Sequence, residues 1–375
     1  MALAAPPVAQ RSVPLFKVFI PDTILEPLRA TLLSGMVTEG EVTKAFEQRL
    51  GEYLGTPRAL ALNSCTHALQ LALRLAGVGP GDEVISSPMT CVATNSPVLL
   101  AGAAIRWADI DPATGNIDPA SVEASITPKT KAILYVHWGG DPGPIDAINA
   151  VAKAHKLKVI EDAAHAFGAE YRGRKIGTHS DFVCFSFQAI KHMTTVDGGL
   201  LCCQDPEDYA RGKRLRWFGI DREARRQELF WEYDIQEPGY KYHMNNVTAS
   251  IGLEQLKHIE ETLTACRRNG AVYLERLQGL PKLRHLRRLP EARSAFWVFT
   301  LLAEDRPALV ARLAEQGITS SIVHVRNDQY TAFAAFRRPL PGVDAFTARY
   351  LSIPSGRWVR PEDAERIVDV MRKGW

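Results

Sequence analysis

Between Arg58 and Leu201, short β-rich runs take turns with helical patterns, and this alternation constrains the fold more than any other feature of the chain. "RALALN" reads as a strand. "CTHALQLALRLAG" follows with apolar residues at helical spacing and ends at Gly77. "DEVISS" and "TCVATNSPVLLAG" repeat the pair. "AIRWADI", "DPASVEASI", "KAILYVHW", "PIDAINAVAKAH" and "KVIED" continue it. Strands that alternate with helices predict a mostly parallel sheet covered on both faces. Ligands of such sheets sit at the carboxyl ends of the strands. Asn63, Thr90, His137 and Asp162 fall at or just past such ends.

"FVCFSF" and "GGLLCC" read as two further strands, and between them lies a turn that holds Lys191. After Asn245 the pattern becomes long and helical, then mixed: "AFWVFTLLA" as a strand, "RPALVARLAEQG" as a helix, "TSSIVHV" as a strand and "PEDAERIVDVMRKGW" as a last helix. The expected organisation is a floppy tail over 1–13, a large domain over 14–250 and a smaller C-terminal α+β domain over 251–375. The polar, aromatic stretch from Arg222 to Gly239 reads as a loop near a site. With 45 Lys+Arg against 42 Asp+Glu, the charge is too balanced to point to nucleic acid or a membrane surface. No apolar run is long enough to span a bilayer. Six cysteines without a C-x-x-C pair read as reduced thiols of a cytoplasmic protein, with no disulfide frame and no metal site.

The chemistry starts at Lys191. A lone lysine in a loop is ordinarily solvated, but this one lies between strand ends, with Ser186 before it and Gly198-Gly199 after it. A partly desolvated lysine has a lowered pKa and can attack a carbonyl. Pyridoxal phosphate exploits such a lysine, and it also needs an acid for its ring nitrogen, a phosphate cradle and a group that holds the ring. Asp162 supplies a carboxylate after an apolar strand, as a helix cap or as the partner of a buried positive group. The helix that opens at "NSCTH" offers a cradle, with backbone N–H groups of Cys65 and Thr66 and the Thr66 hydroxyl, although capping by Asn63 or Ser64 is compatible with the same residues. His165 alone reads as a core histidine.

Together, "NSCTHALQLALRLAGVGPGDEVISSPMTCVATN", "DIDPATGNIDPASVEASITPKTKAILYVHWGG", "VIEDAAHAFGAEYRGRKIGTHSDFVCFSFQAIKHMTTVDGGLL" and "GYKYHMNNVTASIGLEQL" occur in order. They resemble the DegT/DnrJ/EryC1/StrS family of sugar aminotransferases over about residues 14 to 373. The resemblance implies the fold-type-I aminotransferase architecture, a seven-stranded sheet and pyridoxal 5'-phosphate. It implies an amino donor, L-glutamate in particular, and a keto-sugar acceptor, nucleotide-linked by preference. Lys191 matches the lysine that binds the cofactor aldehyde and Asp162 the partner of the ring nitrogen. His165 matches the residue near the ring and its phenolic oxygen, and Ser186, Cys65 and Thr66 match the phosphate ligands. The family's "GYN" region reaches the phosphate of a second subunit, which implies a homodimer with shared sites.

The chain departs from that pattern twice. After Thr90 the family often carries an aromatic residue that stacks on the ring, and here the position is Cys91. "GYN" reads "GYK", so Lys241, His243 and Asn245 are the candidates for the contact across subunits. Competing readings are a non-nucleotide ketone acceptor (a keto-octulosonate or a cyclitol), a sugar dehydratase with His in place of the lysine, and a cofactor binder without turnover. Lys191 argues against the dehydratase, and His192 beside it is the residue to check. Trp138 is expected at the wall of the site or in local packing. Trp217, Trp231 and Tyr233 are expected to pack locally, with stacking on a nucleobase or sugar as the alternative, and Arg172, Arg174 and Lys175 to form a solvated hairpin turn.

Overall fold

The computed structural model describes residues 11–222 and 234–375. The chain enters along its own C-terminal half. Val13 is buried and pairs with Ile318, and Arg11 bonds Asp363. The expected tail therefore ends earlier than residue 13, because an apolar side chain there has a core to enter. Helices α1 (Leu25–Leu33) and α2 (Glu41–Leu54) precede the large sheet.

That sheet begins with β1 (Ala59–Leu62), followed by α3 (Cys65–Leu75), β2 (Glu83–Ser86), α4 (Val92–Leu100), β3 (Ala104–Trp107), α5 (Pro119–Ala124), β4 (Thr130–Val136), α6 (Ile145–His155) and β5 (Lys158–Asp162). A small hairpin of β6 (Glu170–Tyr171) and β7 (Arg174–Lys175) interrupts, and its turn is Arg172-Gly173, the solvated turn expected there. β8 (Phe182–Ser186), β9 (Gly199–Cys203) and α7 (Pro206–Leu215) follow. The seven strands run in the order β1-β9-β8-β5-β4-β2-β3, and β9 alone is antiparallel to its neighbours.

Local chemistry sets these boundaries. The Ser64 hydroxyl caps α3 by accepting from the His67 N–H, and Gly77 ends the helix region at φ 76°. Asp118, Asp205 and Asp305 cap three helices that each carry Pro in the first turn. Both faces of the sheet are buried. Along β8, Phe182 and Cys184 pack with α3 on one face, while Val183 and Phe185 pack with α2 and Ala249 on the other. Each fully buried large apolar side chain of this kind contributes about 1.5–3 kcal/mol.

The long helical pattern after Asn245 is two helices, α8 (Asn246–Leu256) and α9 (Ile259–Arg276), broken at Lys257-His258. The remainder comprises β10 (Leu283–His285), β11 (Ala292–Arg293), β12 (Phe299–Ala303), α10 (Arg306–Glu315), α11 (Pro341–Thr347), β13 (Tyr350–Ile353) and α12 (Pro361–Arg372). A three-stranded sheet of β10, β12 and β13 forms its centre. "TSSIVHV" is not a strand: only Ser321 pairs, with Ser352, and Ile322 and Val325 are exposed. The chain leaves the sheet there and carries His324 toward His165, so tertiary contact overrides β propensity. Among the described residues no helix is long and apolar enough to cross a membrane.

Gly199 lets β9 approach the start of α3. A Cβ there would lie 2.4 Å from the Ser64 carbonyl carbon and 2.5 Å from the Cys65 nitrogen. Gly199→Ala is expected to destabilise the protein by about 2–3 kcal/mol through forced separation of strand and helix. A denaturant midpoint unchanged from the native chain would refute that account.

Candidate active site

The parallel strands end on one rim of the sheet, and the residues singled out in the sequence gather there. Asp162 closes β5, Ser186 closes β8, and Lys191 follows in the turn that returns to β9. Cys65 opens α3, and Cys91 sits at the N-cap of α4.

Lys191 is half-buried, and its Nζ lies 4.0 Å from the centroid of the Trp297 ring. An ammonium over an indole is attracted to the ring face but loses water. Burial pushes the Lys191 ammonium down to about 8, against the pull of Asp162, Cys91 and Cys65. Asp162 is buried, with 3% exposure. Its Oδ2 accepts from the Thr94 hydroxyl at 2.6 Å and its Oδ1 from the Ala164 N–H at 3.0 Å. Burial raises its carboxyl, and these two donors, then Lys191 and His137, hold it back.

The adjacent carboxylate, Glu161, points to the other face of the sheet. There the His137 Nδ1 accepts from the Gly143 N–H at 2.9 Å, so its Nε2 carries the proton and donates to Glu161 at 2.8 Å. One residue of strand register thus separates a packing carboxylate from the one at the site.

His165 lies flat against Trp297, with ring centroids 3.9 Å apart, and its Nε2 is 3.4 Å from the His324 Nε2. Burial pushes His165 well below the ordinary histidine range. Its Nδ1 is buried with no partner among the described residues. Trp297 is pinned by its Nε1–H, which donates to the Ile190 carbonyl at 2.8 Å, and Phe16 stacks on it at 4.9 Å. His192 faces elsewhere: its Nε2 bonds the Ala295 carbonyl at 3.0 Å, and burial lowers it to about 4.

The residues present fit pyridoxal phosphate. The N–H groups of Cys65 and Thr66 find no acceptor among the described residues, since the Ser64 hydroxyl satisfies His67 instead. The missing side chain of Gly199 lets this helix start lie against the sheet. The orphaned Nδ1 of His165, the desolvated amine and the buried carboxylate complete a set that matches an anion, an aldehyde and a basic ring nitrogen.

The three residues of the "GYK" region behave differently. Lys241 is exposed. His243 pairs with Leu62, meets Trp217 edge-on at 3.8 Å, and is lowered by burial to about 4. Asn245 uses its Oδ1 to cap α8 through the Thr248 N–H at 2.9 Å. Next to them Tyr240, Tyr242 and His67 form a continuous stack.

Trp138 is core rather than wall: it packs against Phe346 and Tyr350 and donates to Thr300. Trp217 packs locally, under Arg222. Trp231 and Tyr233 lie outside the described residues, as do positions 223–233 of the expected loop. Thr94, Trp297, His324 and Asn327 escaped the sequence reading. Trp297 hides in an apolar run, and the others look like ordinary polar residues of a helix and a loop.

The family model described as the DegT/DnrJ/EryC1/StrS aminotransferase family matches residues 20–372. The spore coat polysaccharide biosynthesis protein SpsC of Bacillus subtilis (strain 168) is 34% identical over 362 residues, 93% of each chain. The structure resembles the sugar aminotransferase CalS13 from Micromonospora echinospora at a TM-score of 0.93 and 37% identity, covering 96% of this chain and 100% of that one. It also resembles Spr1654 from Streptococcus pneumoniae, solved in its PMP form, at 0.89 and 30% identity, covering 96% and 98%. Spr1654 in its PLP form matches at 0.89 and 29%, covering 97% and 98%.

In cofactor-free protein, labelling of Lys191 by an amine-reactive reagent should show a midpoint near 8, where the amine loses its proton. Asp162 is the strongest influence raising that value, so Asp162→Asn should move the midpoint lower. Peptide mapping across a pH series checks both, and a midpoint above 10 would contradict the desolvated setting.

Proposed function

This chain belongs to the DegT/DnrJ/EryC1/StrS aminotransferase family and is a pyridoxal-phosphate-dependent aminotransferase, and we propose that it moves an amino group from L-glutamate to a nucleotide-linked keto-deoxysugar. The observation that carries this reading is the desolvated Lys191 amine at the same sheet rim as the buried Asp162 carboxylate and the uncapped N–H groups of α3. The names of SpsC and CalS13, with polysaccharide biosynthesis in one and sugar aminotransferase in the other, support a sugar acceptor.

When bound, pyridoxal phosphate supplies an aldehyde that condenses with amines and a ring that takes up electrons. Lys191 would hold the aldehyde, Asp162 the ring nitrogen, and Cys65, Thr66 and Ser186 the phosphate. His165 would face the phenolic oxygen through its free Nδ1. Cys91 stands where an aromatic would stack, so His165 and Trp297, themselves stacked, are left to fix the ring's surroundings.

Lys191 also moves protons. At pH 7.5 an amine of pKa near 8 is about a quarter deprotonated, against roughly one part in a thousand for an ordinary lysine. With its amine free, the Lys191 Nζ would take and hold the proton of the donor's Cα as a general base. The order is ping-pong, because one amine is stored between donor and acceptor.

The reading includes a cytoplasmic homodimer in which Lys241 or His243 of a second copy approaches the phosphate. Asn245 is the weaker candidate, since its side chain already caps α8. The large domain over 14–250 holds the cofactor, and the smaller one over 251–375 contributes Trp297 and His324 beside it.

Glutamate should bleach the yellow holoenzyme, and a panel of nucleotide-linked 3-keto and 4-keto sugars should restore the colour with one acceptor. Borohydride should fix the label on Lys191. Lys191→Ala should slow turnover by on the order of 10³-fold or more. A label on another lysine, or bleaching that survives Lys191→Ala at the native rate, would overturn the assignment.

A further inference from the structure

Asp162 does not stand alone at the rim of the sheet. Thr90, Thr94 and Asp162 are 2%, 1% and 3% exposed, so water does not compete for their bonds. The Thr94 Oγ1 lies 2.6 Å from Asp162 Oδ2, and the Thr90 Oγ1 lies 2.6 Å from the Thr94 Oγ1. A threonine hydroxyl has one proton to give, and an ionised carboxylate only accepts. Thr94 therefore spends its proton on Asp162, and its oxygen accepts from Thr90. The line has a direction, and a short hydroxyl-to-carboxylate bond is the strong member of it.

The geometry of the two threonines is fixed from both halves of the chain. Thr94 lies in the first turn of α4, where its N–H bonds the Cys91 carbonyl at 3.0 Å. Asn95 beside it donates to the Ser87 carbonyl at 3.1 Å and to the Asn327 Oδ1 at 2.8 Å. Its own Oδ1 accepts from the Ser86 hydroxyl at 2.6 Å. Asn327 in turn donates to the Thr90 carbonyl at 2.9 Å. The Asn95–Asn327 pair thus clamps the turn that carries both hydroxyls.

We propose that Thr94 is a positioning residue for Asp162: its hydroxyl, backed by Thr90, makes the carboxylate a weaker base than its burial alone would, so that a proton shared with the cofactor rests on the ring nitrogen. This rests on the reading that sets Asp162 against that nitrogen. A proton between two bases resides on the stronger one, and each donor to a carboxylate weakens it as a base. Burial acts in the opposite direction: it strengthens Asp162 as a base and draws the proton toward the carboxylate, which weakens the ring's capacity to take up electrons. The Ala164 N–H supplies one donor from the backbone, and among the described residues Thr94 supplies the one donor that a side-chain substitution can remove.

The test is the 15N resonance of the ring nitrogen in enzyme reconstituted with ring-15N pyridoxal phosphate. Native enzyme, Asp162→Asn, Thr94→Val and Thr94→Ser are compared. Thr94→Val is expected to move the resonance from its native position toward that of Asp162→Asn, and Thr94→Ser to keep it native. The glutamate half-reaction of Thr94→Val should slow about tenfold, the equivalent of one pKa unit, with little change in donor KM. A native resonance in Thr94→Val, while Asp162→Asn moves it, overturns the proposal and leaves the assignment of Asp162 intact. An unmoved resonance in Asp162→Asn overturns that assignment, and the role of Thr94 with it. Should Thr94→Val fail to retain cofactor, Thr90→Val removes only the outer link: a smaller move in the same direction supports the relay, and no move overturns it.

Discussion

A lysine amine kept short of water beside a buried carboxylate is the constraint around which the rest of this structure is arranged. Neither group is cheap to bury. An isolated ammonium or carboxylate in an apolar setting shifts its pKa toward neutrality, and Lys191 and Asp162 both move in that direction. Each restrains the other, and Thr94 and Ala164 restrain Asp162 further. The parallel strands make this possible, because their carboxyl ends converge on one rim while both faces of the sheet stay dry.

The rim is completed by segments far away in sequence. Trp297 lies under the Lys191 amine and against His165, and His324 faces His165 from a stretch that leaves the small sheet to reach it. Phe16 stacks on the same tryptophan from the N-terminal segment, and Trp358 holds that segment by donating to the Pro14 carbonyl. Asn327 adds a fourth element through Thr90 and Asn95. The rim of the large sheet is thereby tied to the C-terminal half through direct contacts.

The alternation of strands and helices was legible because its periods differ and because caps mark the boundaries: Ser64, Asp118 and Asp205 begin helices, and Gly77 stands just past one. Lys191 and Asp162 were legible as candidate chemistry because each interrupts an apolar run at a strand end, whereas Ser186 was legible only through the family's motif. The "TSSIVHV" stretch misled, because β propensity cannot register that His324 has a partner 159 residues away in the chain. Asn245 carries an ordinary cap role that its motif position alone did not reveal.

By itself, then, the order of residues determined the doubly covered sheet, the rim on which ligands sit and the identity of the amine and the carboxylate there. These depend on periodicity and local capping, which are written in neighbouring residues. Only the tertiary structure decided which side chains surround that pair: Thr94 on the carboxylate, Trp297 under the amine, His324 opposite His165. Those contacts join segments brought together by packing of the whole core, and desolvation, the force that tunes the pair, has no meaning until that core is closed.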